Sequence, residues 1–418
     1  MSITGKQEAA ARRSLLFAPG EFRRVGWAFA AFFLVLCSYY LLRPVRDEMA
    51  VQYGVNRLQW LFSATFFFTL LVVPLFGWVV RSLPRHRVLP LVYGFLVINL
   101  FAFQAVFAAG VSPMGAAAFF VWLSVFNLFV VSLFWSRMAD CFTTAESHRL
   151  YGYIAAGGTC GAVAGPALAA VLAPHLPSSS LLMLSAVMLA AAAACALCLP
   201  AHNAPVGGGE RRPVGGSIAA GIALVARLAD LRGIAFLILC YTTVSTVLYV
   251  EMVRMVGQSY ADAGERTSFF ARVDLAVNLL ALVLQLLGTR KLVGRFGLRF
   301  TLPVVPILLM AALALLGTWR NLLSGAATQV LHRAGEYALG KPGREMIYTT
   351  LDAESRYKAK NFIDTAVYRA GDAGSAWAIA GLRSIGLDAV LFAALPAALL
   401  WALNAFHLGS RHDRNQSA

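Results

Sequence analysis

The chain has 418 residues, 59% of them hydrophobic and 13% charged, with a formal net charge of +15 and a mean hydropathy of +0.69. A soluble chain carries about 25% charged residues to cover its surface, so this composition excludes a water-soluble globular enzyme and makes lipid the solvent. The basic excess would also suit a nucleic-acid surface, but its distribution along the chain, taken up below, sets that partner aside.

Stretches of about 20 nearly uncharged residues, the length a helix needs to cross the hydrocarbon core, recur throughout. Residues 1–24 form a basic tail with Lys6, Arg12, Arg13, Arg23 and Arg24. No small-residue cleavage site follows it, so secretory cleavage is not expected. Six spans are then predicted at 25–42, 58–80, 88–109, 114–134, 151–172 and 180–199. Residues 201–232 hold the polar run HNAPVGGGERRPVGGS and read as a flexible linker. Six more spans are predicted at 233–253, 269–287, 300–319, 322–340, 361–382 and 387–403, followed by a tail at 404–418. The tenth is the least regular, because it holds His332, Arg333 and Glu336. The expected fold is an all-α membrane protein of twelve transmembrane helices in two halves, 25–200 and 233–403.

The charges sort by side. Arg81, Arg85 and Arg87, then Arg211 and Arg212, then Arg290, Lys291, Arg295 and Arg299, then Arg356, Lys358 and Lys360 all fall on one face. Loops 110–113 and 173–179, on the other face, carry neither Lys nor Arg. Cytoplasmic loops of helical membrane proteins carry the excess of Lys and Arg. The expectation is a multi-pass protein of the bacterial inner membrane with both termini cytoplasmic. Its partners are the lipid bilayer and a small-molecule substrate, with no nucleic acid.

The halves are similar to each other at one common offset. GWVVRSLPRHR at 77–87 lines up with RKLVGRFGLRF at 290–300, and AGGTCG at 156–161 with RAGDAG at 369–374. Such internal repeats mark many transporter folds. A six-plus-six duplication with basic loops after the second and eighth spans resembles the major facilitator architecture. GRFGLR at 294–299 looks like the second half of that superfamily's loop signature, with Gly294 where an Asp is usual. The resemblance implies a monomer.

Charges inside the spans are the expensive residues, at roughly 2.5–3.5 kcal/mol each on insertion scales, and those retained usually face a polar cavity. In SYYLLRPVRDEM, residues 38–49, Arg43 and Arg46 share a helix face if Pro44 does not break it. They fit either a substrate contact or, with Asp47, an interfacial anchor that snorkels outward. Glu251 and Arg254, in LYVEMVRM at the end of the seventh span, fit a substrate contact or a pair closed on itself. Arg137 and Asp140, in FWSRMAD at the end of the fourth, fit a gate or an intracellular salt bridge. Asp364, Arg369 and Asp372 are the deepest charges, suited to substrate binding or to carrying a proton.

Together with SYYLLRPVRD and YVEMVR, the run LDAESRYKAKNFIDTAVYRAGDAGSAW at 351–377 resembles the nucleotide (ATP/ADP) transporter family of plastids and intracellular bacterial parasites, over residues 25 to 403. The resemblance implies nucleotide exchange. Arg46 stands where those members have a Lys important for exchange, and Glu251 matches an acid at the end of their seventh helix. Asp372 stands in RAGDAGS where they have a basic residue, in an RLGKSGG-like run. That change of sign weakens the case for a polyphosphate. The physical case stands beside it: Arg stays protonated and makes bidentate bonds to phosphate. Arg43, Arg46, Arg254 and Arg369 would converge if the halves pack as major facilitators do. Tyr39, Tyr40 and Trp60 suit stacking on a base, or simple packing.

The leading expectation is therefore an alternating-access carrier that exchanges nucleotides or a related phosphorylated metabolite. The alternatives are a proton-coupled carrier of another solute and a non-transporting membrane sensor. Neither enzymatic activity, cofactor nor metal is expected. GEYALGKP at 335–342 nearly spells a P-loop, but Pro342 replaces the hydroxyl residue and no strand precedes it. CALC at 195–198 lies in an apolar helix, where its thiols are expected to be buried packing residues.

Overall fold

A computed structural model of the chain describes residues 20–200, 218–349, 352–386 and 390–417. Among them the secondary structure is helical throughout, and twelve long helices form two six-helix halves. The first half is α1 (Glu21–Tyr53), α2 (Leu58–Ser82), α3 (Arg85–Ala108), α4 (Pro113–Cys141), α5 (Thr144–Leu172) and α6 (Ser178–Leu197). The second starts with α7 (Ala229–Ser259) and α8 (Ala263–Leu287), and continues with α9 (Val304–Thr318). Helix α10 has three segments, Leu322–Gly335, Glu336–Gly340 and Lys341–Tyr348, and α11 likewise has Ala353–Phe362, Ile363–Val367 and Tyr368–Ser384. Helix α12 is Val390–Ser417. Among the described residues ten of the twelve, α9 taken together with the turns before it as Leu298–Thr318, are long and apolar enough to cross a membrane; α10 and α11 are the two interrupted by π-helical turns.

Several predicted bounds are too short. Helix α1 continues through Pro44 to Tyr53, α4 to Cys141 and α7 to Ser259, so the charges assigned to helix ends lie inside helices. The apolar run stops before the helix does because internal partners, described below, satisfy those charges. The predicted linker is in part a helix, Ile218–Arg227, and the predicted tail is the end of α12. Lys6, Arg12, Arg13, Arg211 and Arg212 lie outside the described residues.

The repeated glycines explain the pairing within each half. On α5, a Cβ at Gly158, the counterpart of Gly371, would overlap the Phe32 ring of α1, and one at Gly161 would overlap the Phe33 carbonyl. On α11, a Cβ at Gly371 would overlap the Thr242 side chain of α7. In lipid, where apolar burial between helices gains little, such close backbone approach is what holds helices together. The duplicated motifs thus pack α5 on α1 and α11 on α7 as equivalent pairs. In GRFGLR, Gly297 takes φ +73° and Asp413 of α12 accepts hydrogen bonds from the backbone N–H groups of Leu298 and Arg299, both at 3.0 Å.

Candidate functional site

A cavity of about 320 Å³ lies between the halves. Its wall follows from helical spacing, since residues three and four apart share a face. Arg43 and Arg46 come from α1, and Phe120, Ser124 and Leu128 from α4. Helix α7 gives Tyr241, Ser245, Thr246 and Tyr249; α10 gives Gln329, Arg333 and Tyr337. Helix α11 gives Asp364, Thr365, Tyr368, Arg369 and Asp372, and α2 adds Phe62 and Thr65.

Both π turns border this cavity. In α10 the Lys341 N–H bonds to the Glu336 carbonyl five residues back. Pro342 explains the wider turn: its ring would clash with the carbonyl four residues before it, and it has no N–H to donate. The widened turn re-aims side chains and carries Tyr337 into the wall. In α11 the Tyr368 N–H likewise bonds to the Ile363 carbonyl, and Asp364 and Thr365 of that turn line the cavity. No proline follows the α11 turn, and no sequence signal marks it.

Ion pairs order the wall. Arg46 donates to its neighbour Asp47 at 2.6 Å, and the Tyr249 hydroxyl donates to the same oxygen at 3.1 Å. Arg369 lies 3.5 Å from Asp372 and donates to the Ser124 carbonyl of the other half. Asp372 also accepts from Thr246 at 3.3 Å. Behind the wall, Asp274 of α8 accepts from Arg333 at 2.6 Å and lies 3.7 Å from Arg43 Nε, whose guanidinium reaches Tyr337 at 3.5 Å.

Five of the seven substrate contacts expected from sequence therefore share this cavity: Arg43, Arg46, Asp364, Arg369 and Asp372. Glu251 and Arg254 do not line it; Glu251 is buried and accepts from Arg383 of α11 at 2.5 Å. Arg137 donates to the carbonyls of Ala196 and Leu199 and so closes the end of α6, while Asp140 is half-buried one turn further along α4. Of the two readings of Tyr39, Tyr40 and Trp60, the packing one fits, since none of them lines the cavity. Tyr39 and Tyr40 meet edge to face, as do Trp60 and Trp377, whereas Phe62, Phe120, Tyr241, Tyr249, Tyr337 and Tyr368 face the cavity. Sequence reasoning missed Asp274 and Arg333; the only signal was a charge standing in each of two otherwise apolar or irregular spans. GEYALGKP is helical, inside α10, and Cys195 is half-buried and Cys198 exposed, where burial was expected.

One end of the cavity is held shut by contacts across the halves. Glu48 of α1 accepts from Arg266 of α8 at 2.8 Å, and Trp377 of α11 donates to Ser63 of α2 at 2.9 Å. Ser268 of α8 donates to the Ala170 carbonyl of α5 at 2.7 Å. At the opposite end, Arg24 with Glu146, Arg149 with Glu21, Lys360 with Glu345 and Arg411 with Asp230 each join elements of the same half.

No protein-family model matches the chain, and no curated protein matches its sequence. Solved structures do match its shape. A mutant of the nucleoside transporter NupG superposes with a TM-score of 0.68 at 12% identity, over 92% of this chain and 98% of that one. The POT-family transporter PepTSo gives 0.66 at 12%, over 94% and 98%. A bacterial homologue of the iron transporter ferroportin, in an inward-facing state, gives 0.66 at 13%, over 93% and 99%. At such identities the likeness is one of fold alone: long helices arranged in two halves.

Proposed function

We propose that the protein is an alternating-access secondary transporter that exchanges a nucleotide or related phosphorylated metabolite across the inner membrane. The observation that carries this reading is the cavity wall, where Arg43, Arg46, Arg333 and Arg369 stand among six aromatic side chains between the halves. Arginine is the side chain that recognises phosphate bidentately, and aromatic faces accept a base or a sugar. Contacts across the halves at one end and within them at the other support a rocking cycle about a midplane site. The quoted motifs of α1, α7 and α11 supply the resemblance to nucleotide transporters. Exchange of labelled nucleotide by proteoliposomes, lost in Arg46→Ala, tests the reading; unchanged exchange by that variant removes the site assignment.

A second reading is a proton-coupled carrier of a different solute, with Asp364 or Asp372 protonated in transit. Two carboxylates in the cavity wall favour it. Uptake that survives collapse of the proton gradient counts against it.

A further inference from the structure

Two cations and one acid meet where α1, α8 and α10 pack. Asp274 Oδ1 accepts from Arg333 Nη1 at 2.6 Å, and Asp274 Oδ2 lies 3.7 Å from Arg43 Nε. The other arginines of the wall each have a carboxylate of their own, Arg46 with Asp47 and Arg369 with Asp372. Asp364 stands on α11, outside the contact of α1, α8 and α10 where Arg43 and Arg333 meet Asp274. The Arg43–Arg333 locus is therefore left with one positive charge in excess.

The same locus has unused donors. Arg333 is 7% exposed and lines the cavity, yet its Nε and Nη2 have no hydrogen-bond partner in the protein. Arg43 Nε is also without one. Buried guanidinium nitrogens are costly to leave unpaired. These are closed off from the cavity in this state, so an anion meets them as the side chains turn toward it, which relieves that cost and matches the guanidinium fork.

We propose that Arg43 and Arg333 form the anion subsite of the cavity, and that it takes a single anionic group, a phosphomonoester or a carboxylate, in preference to a polyphosphate. This rests on the transport reading above and narrows its substrate. One excess charge balances a carboxylate and most nearly balances a phosphomonoester, at about −1.5 to −2, among phosphorylated groups. A triphosphate would crowd several negative charges against arginines that already hold carboxylates. The cavity, at about 320 Å³, is also at the small end of the about 300–1,000 Å³ range of ligand sites.

The test is binding to the purified full chain, by calorimetry and thermal stabilisation, with AMP, ATP, adenosine and lactate, a monocarboxylate, as probes. Two variants accompany it. Arg43→Gln leaves the Asp274–Arg333 pair intact, and the double variant Arg333→Gln/Asp274→Asn removes both charges together. The expected result is AMP, or lactate if the group is a carboxylate, bound at least tenfold more tightly than ATP, with at least a tenfold loss in both variants. ATP bound more tightly than both AMP and lactate, adenosine bound as well as the tighter of the two, or binding of that tighter probe unchanged in both variants overturns the inference and leaves the carrier reading standing. Binding of no probe by protein that unfolds cooperatively overturns the phosphorylated-solute reading itself, and this inference with it.

Discussion

Glu48 and Arg266 tie the two halves together at one end of the cavity, the carboxylate wholly buried on α1 and the guanidinium reaching it from α8 at 2.8 Å. Arg266 also donates to the carbonyls of Tyr260 and Ala261, and Gln52 donates to Glu48, so the pair sits in a satisfied network. Removing one partner of a buried pair costs about 3–5 kcal/mol, because the other charge is left stranded. That cost falls only on the state in which the pair is made. Arg266→Ala is thus expected to shift the population toward opening at this end. Spin labels on α1 and α8 beyond the pair should then show a longer distance; an unchanged distance distribution rules out a gating role.

Gly264 offers a steric version of the same experiment. A Cβ there would overlap the Ala173 carbonyl of the other half. Gly264→Leu is expected to hold this end apart, making a cysteine at Val51 reactive to an impermeant thiol reagent. Protection equal to that of the parent protein would mean that the halves close without this contact.

Arg46→Ala removes a cavity cation but leaves Asp47 with the Tyr249 hydroxyl as a partner. Hydrogen bonds to charged groups contribute about 1.5–3 kcal/mol, so solute affinity is expected to fall roughly tenfold to a hundredfold. The amount of protein in the membrane should not change. An equal fall in both would assign Arg46 to folding.

Pro342→Ala restores the N–H whose absence we hold responsible for the π turn in α10. The turn should relax toward α-helix and swing Tyr337 out of the wall, lowering transport while thermal stability stays level or rises. Transport at the parent rate would show that the π turn does not position the site.

Gly161→Leu tests the pairing of α5 with α1. Its side chain would meet the Phe33 carbonyl, which is backbone and has little room to give. Overpacking costs about 1–3 kcal/mol and more against backbone, so the purified variant is expected to melt earlier. A melting temperature matching the parent would remove the glycine-contact account of this half.

Much of the architecture was legible because lipid imposes a strict length and polarity on each span, and because AGGTCG and RAGDAG repeat at equivalent places. The arginines of α1 and the charges of α11 stood out for the same reason: a charge in an apolar run has few innocent explanations. Helix ends were less legible, since hydropathy fell where Arg46, Asp47 and Glu48 began while the helix ran on with those charges paired. The roles of Glu251 and Arg254 were not legible either. Their spacing resembled that of Arg43 and Arg46, but the partner of Glu251 is Arg383, more than a hundred positions away on another helix. Asp274 and Arg333 were hidden likewise, because their meaning comes from a contact between α8 and α10 that no local pattern encodes.

The most direct measurement is exchange: proteoliposomes loaded with unlabelled AMP, presented with labelled AMP, in the parent protein and in Arg43→Gln. Label accumulation should depend on internal AMP and fall at least tenfold in the variant. No exchange of AMP or of any other phosphorylated solute, by protein shown to be folded and inserted, would contradict the proposed function.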